Sequence, residues 1–87
     1  MIDNDDRHRF EAEENGKLVF ANYRAQDGRF LLTHVEADPA LRGTGSAARL
    51  MEAIVAHARA NHLKLVPRCS HAVAWFQRHP EAKDVMG

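Results

Sequence analysis

The 87 residues predict an α+β fold built as one domain over 1–87, on three observations. Three apolar stretches before residue 37 are separated by Glu14-Asn15-Gly16 and Gln26-Asp27-Gly28, and Asn-Gly and Asp-Gly supply the positive φ values that tight hairpins need. A later stretch carries apolar residues at helical spacing, and a last short apolar run is stopped by Pro67. The predicted order is an antiparallel three-stranded meander, a helix, a parallel last strand and a short C-terminal helix.

Residues Met1 to Asp6 hold three aspartates and an asparagine with little apolar content, so 1–7 read as a frayed terminus. The meander is expected over His8–Ala12, Lys17–Arg24 and Arg29–Glu36. Alternation puts Val19, Ala21 and Tyr23 on one face and Leu18 and Phe20 on the other, which calls for partial cover on both sides. Ala47, Leu50, Met51, Ile54, Val55 and Ala58 then define a helix of about four turns ending near Asn61, with Arg49, Glu52, His57 and Arg59 on its outer face. Leu63 to Val66 suits a strand, and a strand–helix–strand unit makes it parallel to Phe30–Glu36. Ser70 is placed to cap a second helix, Ala72–Arg78, which ends at His79-Pro80. Glu81 to Gly87 reads as one loose turn.

Composition removes several functions. Twelve basic residues balance twelve acidic ones, so no global field draws the chain to nucleic acid or to an anionic membrane, and an anion site has to be built locally. One cysteine makes no internal disulfide, the start MIDNDDR is polar and acidic rather than a secretion signal, and no apolar run approaches the length of a membrane span. A soluble cytoplasmic protein is expected. No His/Cys spacing suggests a metal.

Local anion chemistry is concentrated in one place. Between the strand ending at Glu36 and the helix run Pro39 and the pair Gly43 and Gly45, with Arg42 beside them. The first N–H groups of a helix lack partners, the macrodipole puts partial positive charge there, and glycine lets a phosphate approach the backbone. On its own a Gly-x-Gly also serves as a packing turn.

Arg42-Gly43-Thr44-Gly45-Ser46-Ala47 resembles the Arg/Gln-x-x-Gly-x-Gly/Ala pyrophosphate signature of GCN5-related N-acetyltransferases. His34-Val35-Glu36, Pro39-Ala40-Leu41-Arg42-Gly43, Leu63-Lys64-Leu65-Val66-Pro67-Arg68-Cys69-Ser70 and His79-Pro80-Glu81 extend the likeness, from Phe10 to Asp84, to the short GNAT-like subfamily with a cysteine after the last strand. The resemblance implies that Phe30–Glu36 and Leu63–Val66 splay into a V that takes acetyl-coenzyme A. It places pyrophosphate on the amides of Gly43, Thr44, Gly45, Ser46 and Ala47 beside Arg42, the pantetheine arm along Val35, Glu36 and Ala37, and the thioester near Cys69 and Ser70. It further implies that the Cys69 thiol passes the acetyl group to an amine. The helical pair that shapes the acceptor site in larger relatives has no room between Glu14 and Lys17, and the only tyrosine is Tyr23.

Cys69 follows Arg68 and precedes His71, and a cation and an imidazole are the company in which a thiol serves as a nucleophile. The alternative for Cys69 is a small buried hydrophobe. His34 and Glu36, two apart on one strand, point the same way and are placed to deprotonate an acceptor amine through water, the alternative being a solvated strand end. His79 before Pro80 suits a helix C-terminus, His71 is ambiguous, and His57 and His62 receive no role. The resemblance leaves two functions open: an N-acetyltransferase acting on a protein lysine or polyamine, as a monomer or homodimer, and a non-catalytic acyl-coenzyme A-binding or protein-interaction module.

Overall fold

The computed structural model describes Met1–Gly87. Five strands, β1 (Ile2–Asn4), β2 (Arg9–Glu14), β3 (Lys17–Gln26), β4 (Arg29–Ala37) and β5 (Lys64–Pro67), lie in that order in one sheet. The first four are antiparallel and β5 runs parallel to β4. Helix α1 spans Ser46–Ala60 and α2 spans Ser70–Arg78. Both hairpins turn through paired positive φ values, 52° and 74° at Asn15-Gly16 and 52° and 77° at Asp27-Gly28, so the right-handed strand twist carries through each turn.

Burial explains why α1 sits where it does. Phe10, Val19, Ala21, Tyr23, Leu32 and Leu65 share one face of the sheet and are covered by Leu50, Met51, Ile54, Val55 and Ala58 of the helix. Leu63 N–H donates to the Ala58 carbonyl at 2.9 Å, with His62 left-handed at φ 56°, and this stops the helix before β5. Ala72, Trp75 and Phe76 bring α2 into the same core.

Four details depart from the sequence reading. The N-terminus contributes a strand, because its polar residues are hydrogen-bond partners: Tyr23 Oη donates to Asp3 at 2.7 Å, Asn4 Nδ2 donates to Glu11 at 3.2 Å, and His8 turns the chain back at φ 53°. Burial and the neighbouring Asp3 carboxylate push the Tyr23 hydroxyl's pKa up, so it remains a donor. Cover is one-sided. Leu18, Phe20, Leu31 and Val66 are only half-buried on the other face, where the Arg9 guanidinium lies 4.6 Å from the Phe20 ring centre. Cys69 rather than Ser70 caps α2, since Sγ is the atom in reach of the Ala72 N–H, at 3.4 Å.

The fourth departure is the tail. Pro80–Val85 forms a 3₁₀ turn, Met86 bridges in parallel to Leu65, and Gly87 N–H donates to the Leu65 carbonyl at 3.0 Å. Arg59 anchors this turn through two bonds to the Asp84 carboxylate, at 2.7 and 2.8 Å. That guanidinium holds the Asp84 carboxyl below its ordinary value, so the pair stabilises the fold above the unfolded pKa of about 3.9 and loses that contribution as pH falls below it. Thermal midpoints measured from pH 5 to pH 2 are expected to fall less steeply for Asp84→Asn than for the parent chain. Parallel curves would show that the pair adds nothing.

Candidate functional site

The site begins where the two strands of the parallel pair part. Their pairing ends at Leu32 and Pro67. The next two amides, of Arg68 and Cys69, both donate to the Leu32 carbonyl, at 3.0 and 3.2 Å, and so turn the chain off the sheet into α2. Strand β4 continues alone on that side to Ala37.

A bulge sets which atoms the lone edge presents. Tyr23 pairs with Leu32 and Asn22 with His34, so Thr33 is the extra residue. Asp38 N–H donates to the Leu18 carbonyl at 2.8 Å, which fixes the phase of the ladder. By alternation Phe20/Glu36 and Asn22/His34 are the hydrogen-bonded pairs, and the backbone amides and carbonyls of Val35 and Ala37 face the opening.

The opposite wall is the start of α1. Asp38 caps a 3₁₀ turn at Pro39–Leu41 by accepting from the Ala40 N–H at 2.9 Å, and Thr44 N–H and the buried Ser46 hydroxyl bond back to the Leu41 carbonyl at 3.1 and 3.5 Å. Gly43 at φ 80° and Gly45 at φ 84° give the left-handed backbone this path needs. Gly45 provides no side chain to cap the helix, and the first turn contains no acid. The first intrahelical bond is Arg49 N–H to the Gly45 carbonyl, at 3.0 Å, so the three preceding amides have no acceptor within the helix. The cleft between these walls holds about 330 Å³ and is lined by Val35, Ala37, Leu41, Arg42, Gly43, Gly45, Ser46, Ala47, Ala48 and His71.

The remaining candidates lie in three places. Cys69 is half-buried at the head of α2, and Ser70 is exposed beside it. Thr44 turns its hydroxyl onto the Leu41 carbonyl rather than into the cleft. His34 Nε2 and Glu36 Oε1 meet at 3.0 Å with half of each side chain exposed, on the sheet face that α1 does not cover. The structure joins these two to each other, and the cleft lining includes neither them nor Thr44, Cys69 and Ser70.

A family model described as GCN5-related N-acetyltransferase matches residues 9–85. The chain belongs to that family. The solution structure of a GCN5-like protein from Staphylococcus aureus superposes with a TM-score of 0.63, covering 92% of this chain and 89% of its own at 22% identity, so the likeness speaks to the fold. No curated protein matches the sequence.

Within this N-acetyltransferase-family fold, Leu41, Ala48 and His71 line the cleft without a site role assigned from sequence, and of the three only His71 titrates. It stands at the exposed lip, and the protein around it, reinforced by the Arg78 cation, lowers its pKa and favours the neutral imidazole. One signal was available: a cap at Ser70 already puts His71 in the first turn of α2, the end of that helix tied to β4 through the Leu32 carbonyl.

Proposed function

We propose that residues 1–87 act as one acetyltransferase domain that binds acetyl-coenzyme A in this cleft and transfers the acetyl group to an amine. The observation that carries the reading is the pairing of two unsatisfied surfaces across one gap, the open edge at Val35 and Ala37 and the uncapped, acid-free start of α1. A pantetheine arm offers amides to the first, and a pyrophosphate suits the second.

In the proposed reaction Cys69 Sγ attacks the thioester carbon, the coenzyme A thiolate leaves, and it takes up the proton the cysteine gives up. The amine nitrogen then attacks acetyl-Cys69, the cysteine thiolate leaves, and the product amide, free coenzyme A and one proton result for each ammonium consumed. The His34–Glu36 pair offers an imidazole and a carboxylate to accept that proton through water. With no helical pair between β2 and β3 to wall in a small substrate, the acceptor is a stem-borne amine, a protein lysine or polyamine, whose binding surface lies partly outside the site.

Two measurements test this together: calorimetric titration with acetyl-coenzyme A, and release of free thiol on adding spermidine or a lysine peptide. Binding with amine-dependent release supports the enzyme. Binding without release favours a sensing module, and no binding removes the reading.

A further inference from the structure

The mouth of the cleft carries a second guanidinium, which the sequence pattern assigns to the outer face of the helix. Arg49 stands one turn into α1, and its Nε and Nη2 donate to the two Glu14 oxygens at 2.9 and 2.8 Å. Glu14 closes β2 at the Asn15-Gly16 hairpin, so the pair ties that hairpin to the start of the helix. The third nitrogen, Nη1, is not engaged by Glu14. It lies over Gly45, 3.1 Å from where a Cβ on that residue would stand, and Gly45 lines the cleft.

Three physical points follow from this placement. Glycine lets the guanidinium lie there undisturbed, because a Cβ at Gly45 would stand 3.1 Å from Nη1 and press it aside by a few tenths of an ångström. A planar fork held at two nitrogens has given up its rotamer freedom before a ligand arrives, so an anion reaching Nη1 meets a pre-set donor. Arg42 is the one arginine of the cleft lining, with Arg49 reaching it only over Gly45, whereas coenzyme A brings a pyrophosphate and a 3′-phosphate.

On the reading that the cleft takes coenzyme A, we propose that Arg49 is a second phosphate-binding cation of the site, held by Glu14 with Nη1 presented at the glycine turn. The test is titration calorimetry of the full chain with coenzyme A and with 3′-dephospho-coenzyme A at two salt concentrations. Arg49→Gln is expected to raise the coenzyme A Kd about tenfold and to flatten its salt dependence, and Arg49→Lys, which keeps a cation without the fork, to lose less. A loss confined to coenzyme A assigns the contact to the 3′-phosphate, and a loss with both ligands assigns it to the pyrophosphate. A Kd within twofold of the parent for Arg49→Gln, or equal losses for the Gln and Lys variants, would overturn the proposal. A parent chain that binds neither ligand would instead overturn the reading beneath it.

Discussion

Ala47→Asp is expected to abolish tight coenzyme A binding while leaving the protein at least as stable as the parent. Ala47 is the second residue of α1, half-buried in the cleft wall, and no acid occupies the first turn. A carboxylate there complements the helix dipole and adds roughly 0.3–1 kcal/mol to stability. The same carboxylate stands where the proposed pyrophosphate rests. Two like charges about 4 Å apart repel by about 4 kcal/mol at an effective dielectric of about 20, and solvent screening reduces this to a loss of about a hundredfold in affinity. Opposite signs for stability and affinity separate a binding defect from a folding defect. Substitution at Gly45 does not, since its φ of 84° strains any side chain and a Cβ meets Arg49 at 3.1 Å. Thermal melting and calorimetry on the one variant decide the matter: a raised melting midpoint with an unchanged Kd would remove the helix start from the cofactor site.

Cys69→Ser is expected to bind acetyl-coenzyme A normally and to lose acetyl transfer by at least about a hundredfold, with no acetylated protein left for mass spectrometry to detect. The cap dictates the choice of serine. Cys69 Sγ accepts from Ala72 N–H at the head of α2, and an alanine there would leave that amide bare at a cost of about 0.5–2 kcal/mol. A serine hydroxyl makes the same bond, so α2 stays in place and the change is confined to the nucleophile. Transfer at the parent rate by Cys69→Ser would reduce the thiol to a cap, and direct attack by an amine assisted by Glu36 or His34 would become the mechanism to pursue.

Local chemistry made the central elements readable. Asn15-Gly16 and Asp27-Gly28 announce their turns, α1 repeats its apolar face over 15 residues, and Pro67 bounds β5. What escaped depends on partners distant in the chain. Asp3 looks like a solvated residue until Tyr23, 20 positions away, requires an acceptor for its hydroxyl. Thr33 has no mark of a bulge, yet that extra residue turns the Val35 amide towards the cleft. The glycine turn of the site was legible because backbone conformation selects its residues. Arg49 was not, because helical periodicity says which way its Cα–Cβ bond points and nothing of the Glu14 carboxylate that pulls its head back over the turn.

The lone run of β4 beyond Leu32 also bears on which molecules can pair with this sheet. A sheet edge with unpaired amides and carbonyls invites another chain to add a strand. At one side of this sheet β1 is three residues long and carries Asp3, and at the other Met86 and Gly87 lie against Leu65 and take its carbonyl. Both outer borders are thus short or covered, and the longest bare stretch of strand backbone is internal, recessed between β4 and the start of α1. A narrow linear molecule with amides along its length reaches that stretch more easily than a folded neighbour does.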